Sequence, residues 1–228
     1  MLDKSSFNRE LLAFLERATT PFHAVEAMSA TLLAAGFLHL EEGQAWETEP
    51  GCGYFLTRND SSIIAFVHGE QGPPAAGMRM VGAHTDSPCL MVKPNPEKNK
   101  LGYFQLGVEV YGGALLNPWF DRDLSLAGRV SFSDSDGAVR SALIDYRRPI
   151  ACIPSLAIHL DREVNKKCSI NPQTDIVPLL GFQATNDGAD FRALLMAQLQ
   201  QEHPQCDVRQ VLDYELCFYD SQAPRWWE

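Results

Sequence analysis

Residues 81 to 88 read Val-Gly-Ala-His-Thr-Asp-Ser-Pro, and the pairing of His84 with Asp86 is the strongest chemical signal in the chain. An imidazole offers a divalent metal one nitrogen lone pair, and a carboxylate within reach of the other ring nitrogen fixes the tautomer that makes the first available. Gly82 and Ala83 permit close approach of backbone just before the ligand. The residues alone leave two readings open: a metal ligand with its supporting carboxylate, or a structural histidine at a strand end. Cys89 adds a formal third, a nucleophile with His84 as base and Asp86 as orienter. Residues this close in one strand and turn rarely converge in those three roles.

The element that must present His84 is the apolar run Met78 to Ala83, which reads as a strand ended by the turn Asp86-Ser87-Pro88. Upstream the chain opens as a helix pair. Ser5 is a candidate N-cap for a stripe of Phe7, Leu11, Leu12, Phe14 and Leu15; Thr20 and Pro21 start a second helix that buries Val25, Met28, Leu32 and Leu33 and ends at Gly36. Tyr54 to Thr57 and Ile63 to Val67 flank Arg58-Asn59-Asp60-Ser61 as a hairpin, and Gly69 to Gly77 reads as a loop.

The polar, proline-interrupted stretch Lys93 to Lys100 reads as a boundary. Beyond it β-patterning dominates: Leu106, Val108 and Val110 alternate with Gly107 and Glu109, Leu124 to Phe132 and Ala138 to Tyr146 flank the turn Asp134 to Gly137, and Val208 to Tyr219 is a long last strand. Two helices interrupt these strands, one from a Ser155 cap through Leu156, Ile158, His159 and Leu160, the other from Asp190 to about Glu202. Asp121-Arg122-Asp123 places two carboxylates around a guanidinium, which favours an ion-pair network over catalysis.

Nineteen basic against 29 acidic residues give a net charge of -10, which argues against nucleic acid as a partner. No run reaches the roughly 20 apolar residues of a membrane helix, and the first twenty residues lack a secretory pattern. Six scattered cysteines without a Cys-x-x-Cys pair fit reduced thiols and a cytoplasmic setting.

Several ordered blocks carry a resemblance: residues 81–88, Lys-Pro-Asn-Pro at 93–96, Gln-Leu-Gly-Val-Glu-Val-Tyr-Gly-Gly-Ala at 105–114, Trp-Phe-Asp-Arg-Asp-Leu-Ser-Leu-Ala-Gly-Arg-Val at 119–130 and Ile-Pro-Ser-Leu-Ala-Ile-His-Leu at 153–160. Thr-Pro-Phe-His-Ala at 20–24 and Thr-Arg-Asn-Asp-Ser-Ser at 57–62 extend it. From about residue 5 to about 220 the chain resembles the aspartyl aminopeptidases. The resemblance implies cytosolic, oligomeric two-zinc exopeptidases, with manganese or cobalt as substitute ions, that remove N-terminal, preferably acidic, residues from peptides. By the same resemblance His84 is the first zinc ligand and Asp86 the carboxylate that orients it. His159 resembles a histidine that reaches an active site across a subunit boundary and is sometimes counted with the metal ligands. On its own sequence, between Leu156, Ile158 and Leu160, His159 reads instead as a core or interface residue.

The implied fold is α/β: residues 1–92 form the N-terminal part of an α/β catalytic domain, and 93–218 an inserted, mainly β dimerisation domain with two or three helices. Residues 219–228, with Trp226 and Trp227 adjacent, form an atypical tail. The family's other metal groups, several carboxylates and a last histidine, lie in a second half absent from these 228 residues. The expectation is therefore a truncated or frame-shifted product, inactive alone. The alternative is a non-catalytic assembly module or an inert remnant.

Overall fold

The computed structural model describes residues 3–71, 77–182 and 190–226. They divide into two compact units, one ending at Asp86 and taking in the chain from Pro224, the other spanning Ser87–Ala223.

In the first unit α1 (Lys4–Arg17) is capped by Asp3, whose carboxylate accepts from the backbone N–H of Ser6 at 2.9 Å; the cap expected at Ser5 thus lies two residues earlier. Its apolar stripe stays open, with Phe7 at 56% and Leu15 at 51% exposure. The second helix, α2 (Pro21–Ala34), starts as the sequence predicts, on the Thr20 hydroxyl and Pro21. The backbone N–H groups of Gly36 and Phe37 close on Leu33 and Leu32, with Gly36 at φ +84°. The buried face is Phe22, His23, Ala24, Val25 and Ala27, whereas Leu33 is exposed. This helix packs on a three-stranded sheet of order β1-β2-β3: β1 (Leu38–His39), β2 (Gly53–Arg58) and β3 (Ser62–Val67). The β2–β3 hairpin turns on Asn59 and Asp60, both at positive φ, which short polar side chains tolerate.

Met78 to Ala83 departs from the sequence reading. It forms no strand, and Met80 and Val81 are fully or almost fully exposed. Apolar, β-prone side chains favour an extended backbone, but a strand also needs a ladder partner, and among the described residues this run has none. In the loop read at Gly69 to Gly77, residues 72–76 lie outside the described residues, as does Trp227 of the tail.

The second unit is a six-stranded antiparallel sheet of order β7-β6-β9-β4-β5-β8, formed by β4 (Cys89–Lys100), β5 (Tyr103–Tyr111), β6 (Leu124–Ser133), β7 (Val139–Asp145), β8 (Leu179–Phe182) and β9 (Gln210–Asp220). Helix α3 (Phe191–Glu202), capped by Asp190 as expected, lays Phe191, Leu195 and Leu199 on the sheet over β7 and β9. The core of this unit includes fully buried Leu90, Leu106, Leu126, Leu195 and Leu216. Each such leucine contributes about 1.5–3 kcal/mol by leaving water.

Lys93 to Lys100, expected as a boundary, is the second part of β4. Pro94 and Pro96 have no N–H to give a ladder, and the β4–β5 register slips between Val92 and Glu97. The Tyr214 hydroxyl, on β9, donates to the carbonyls of Lys93 and Pro94 at 2.9 and 3.1 Å, so the slip leaves them partnered. The helix expected from Ser155 is a series of turns. Leu156 and Leu160 are 65% and 75% exposed, so no packing offsets the cost of nucleating so short a helix.

Candidate metal centre

The first unit positions His84 through a contact that motif reading missed. The Thr85 hydroxyl donates to the carbonyl of Ser61, in the β2–β3 hairpin, at 2.7 Å. This bond fixes the backbone between His84 and Asp86 in place of the expected strand. Only the Thr85 side chain between two polar residues signals it in sequence, and the distant carbonyl does not.

Within that anchor His84 Nδ1 lies 2.7 Å from the carbonyl oxygen of Asp86 and 3.1 Å from its Oδ1. Both oxygens accept, so Nδ1 carries the proton and donates to them. The lone pair of the neutral ring is then on Nε2, on a side chain 79% exposed beside a carboxylate 43% exposed. Such an imidazole is preorganised to give one nitrogen to a metal ion. A zinc site needs at least three protein groups, and among the described residues no group of three or more His, Cys, Asp and Glu stands ready to hold an ion. His84 and Asp86 thus fit a zinc centre as one ligand and its support, and the described residues do not make up the remainder.

The other candidates fall in the second unit. His159 sits in an exposed turn where the backbone N–H of Leu160 donates to Ala157 at 2.8 Å. Asp121, at φ +56°, accepts the backbone N–H of Ser155 at 2.9 Å, and hydrogen bonding from Ser155 holds its carboxyl below the usual range. Arg122 reaches Asp220 at 2.5 Å and the Pro118 carbonyl at 3.0 Å. The triplet therefore serves structure, as its charge pattern predicts, but the arginine pairs with a distant aspartate on β9. Cys89 lies with its sulfur 3.1 Å from that of Cys217.

A histidine held by a carboxylate does not by itself define a class of protein, but likeness to known proteins does. The family model described as aminopeptidase I zinc metalloprotease (M18) matches residues 14–226. The chain belongs to this family. It is 57% identical over 221 residues to a probable M18 family aminopeptidase 2 of Pseudomonas fluorescens, covering 96% of this chain and 51% of that protein. Against the like-named protein of Ectopseudomonas mendocina it is 58% identical over 213 residues, covering 93% and 49%. Among solved structures it resembles that of the Ape4 and Nbr1 complex, at 39% identity and a TM-score of 0.87 over 95% of this chain and 44% of the other. Chaetomium thermophilum mApe1 follows at 35% identity and a TM-score of 0.83, covering 95% and 51%. The chain spans about half the length of the curated relatives it matches. These neighbours agree with the α/β fold class, a partial α/β domain joined to a β-rich unit.

Proposed function

We propose that the chain carries one part of the active centre of a two-zinc aminopeptidase that removes N-terminal, preferably acidic, residues from peptides in the cytoplasm. The observation that carries this reading is the His84–Asp86 geometry, which protonates Nδ1 and turns the Nε2 lone pair outward, in a member of a zinc metalloprotease family. His84 is the metal ligand and Asp86 its positioning carboxylate; His159 reaches the active site of a neighbouring subunit, beside its metal ligands. Bound zinc would polarise a scissile carbonyl and acidify a water. The part of this chain is to offer Nε2 in a fixed direction and to hold the proton on Nδ1, donated to Asp86.

The β-rich unit supports a second reading, an assembly module that joins copies of the chain. It contains its own core, and it leaves Leu115, Leu156 and Leu160 open at 79%, 65% and 75% exposure.

The test supplies the complementary half. The purified chain with zinc gives no turnover of an acidic aminoacyl chromogenic amide; co-expression with the second half of the Pseudomonas fluorescens relative restores it. His84→Ala abolishes the restored activity, and Asp86→Asn weakens zinc affinity about 10–100-fold. Restored turnover indifferent to His84→Ala would sink the assignment. Co-purification of the two halves without turnover would favour the assembly module.

A further inference from the structure

Cys89 opens β4 two residues after the β-rich unit begins at Ser87, and Cys217 lies near the end of β9, by which the chain leaves that unit. The two strands are antiparallel neighbours with Leu90 opposite Phe218 and Met91 opposite Cys217. Cys89 and Cys217 therefore occupy the same face of the sheet on a diagonal. Their sulfurs are 3.1 Å apart, although the residues are 128 positions apart in sequence. A disulfide has its sulfurs about 2.05 Å apart, so the thiols need to close by only about 1 Å. Neither cysteine is in a disulfide in this structure; Cys217 is buried and Cys89 partly exposed.

We propose that Cys89 and Cys217 form an oxidisable pair, a site at which a hydroperoxide or a disulfide oxidant installs a reversible cross-strand disulfide. With a hydroperoxide the Cys89 sulfur, the more accessible of the two, attacks as thiolate. The O–O bond breaks, hydroxide leaves, and Cys89 becomes a sulfenic acid. The Cys217 sulfur then attacks the Cys89 sulfur and a second oxygen departs. The protons of the two thiols end in two waters, and the two thiol sulfurs have lost two electrons to the peroxide. The hydrogen bond with Cys89, together with burial, pushes the Cys217 thiol up, which keeps Cys217 protonated and assigns the first attack to Cys89. A thiol reductant reverses the bond by exchange. The cross-link clips the strand that enters the β-rich unit to the strand that leaves it, and it closes a long loop of the unfolded chain.

The pair is tested on the whole chain. The protein is treated with hydrogen peroxide or oxidised glutathione, remaining thiols are blocked with N-ethylmaleimide, and peptides are mapped by mass spectrometry with and without reductant. The expected product is a peptide pair joined through Cys89 and Cys217, lighter by two hydrogens, while Cys52, Cys152, Cys168 and Cys206 are alkylated as before. Cys89→Ser abolishes the linked species, and so does Cys217→Ala. The oxidised wild-type chain also unfolds at higher urea, and reductant returns it to the original midpoint, a readout that holds even if the Cys217 variant folds poorly. Alkylation of Cys89 and Cys217 equal to that of the untreated chain, or linkage of Cys89 to another cysteine, would overturn the proposal.

Discussion

Gly128 is where the β-rich unit depends most on a missing side chain. It lies within β6, opposite Ile144 of β7 on one side and Leu216 of β9 on the other, at φ +153°. A Cβ at this position would collide with the carbonyl oxygen of Glu215 and stand 2.9 Å from the Leu216 Cα. The atoms it meets are backbone, so no side chain can rotate aside. A shift of β6 away from β9 would press it into β7. For Gly128→Ala the central ladder must move to relieve the clash, and an alanine held at φ +153° costs about 1–3 kcal/mol by itself. Each buried ladder group left unpaired adds about 1–3 kcal/mol, so a total loss of about 3–5 kcal/mol is expected. Urea unfolding followed by circular dichroism measures it, with an unchanged m-value confirming that the loss belongs to the native state. Gly137→Ala is the comparison: its φ of +79° is also left-handed but nothing lies within 4 Å of its Cβ, so about 1 kcal/mol is expected. A loss below about 1 kcal/mol at Gly128, or equal losses at both glycines, would refute the close-approach argument.

Two further predictions concern charge and the site. Arg140 beside Asp134 holds that carboxyl below the usual range, so the native state binds its proton less readily than the unfolded chain. The stability that Asp134 contributes is thus present above the ordinary carboxylate pKa and disappears as pH falls through its lowered folded value. The urea midpoint of the wild type should exceed that of Asp134→Asn at neutral pH, and the gap should close in acid; a gap independent of pH would count against the ion pair. Thr85→Val removes the hydroxyl that anchors the His84–Asp86 segment to Ser61 but keeps the shape. Zinc affinity of the complemented enzyme should fall several-fold while the urea midpoint of the chain barely moves, and unchanged affinity would show that the anchor does not position His84.

The sequence rules succeeded where a single local interaction decides the outcome. Thr20 and Asp190 announce helix starts because their side chains satisfy the backbone N–H groups of His23 and Ala193 in the first helical turn. Asn59 and Asp60 announce a hairpin because few other side chains accept left-handed φ. The rules failed where the deciding partner lies elsewhere in the chain. Pro94 and Pro96 look like a linker until the Tyr214 hydroxyl, more than a hundred residues away, answers the carbonyls at the slip. Leu156 to Leu160 has an apolar pattern but no covering surface among the described residues of its unit to make a helix worthwhile. The Met78 to Ala83 run has strand composition and no ladder partner among the described residues.

The same division runs through the site. The orientation of His84 is legible from sequence because its cause is two residues away: the Asp86 carbonyl and carboxylate both lie on Nδ1, and the ring must turn Nε2 outward whatever surrounds it. A ligand set is a different kind of object, since three or four donors must converge on one point from segments that only the complete fold brings together. The octapeptide can therefore fix the orientation of an imidazole and still specify no metal centre. Binding zinc at His84 alone would leave the ion with one nitrogen and water, so metal affinity in this system measures the arrival of the other donors. That is why complementation, rather than titration of the chain alone, discriminates between a catalytic half and an assembly module.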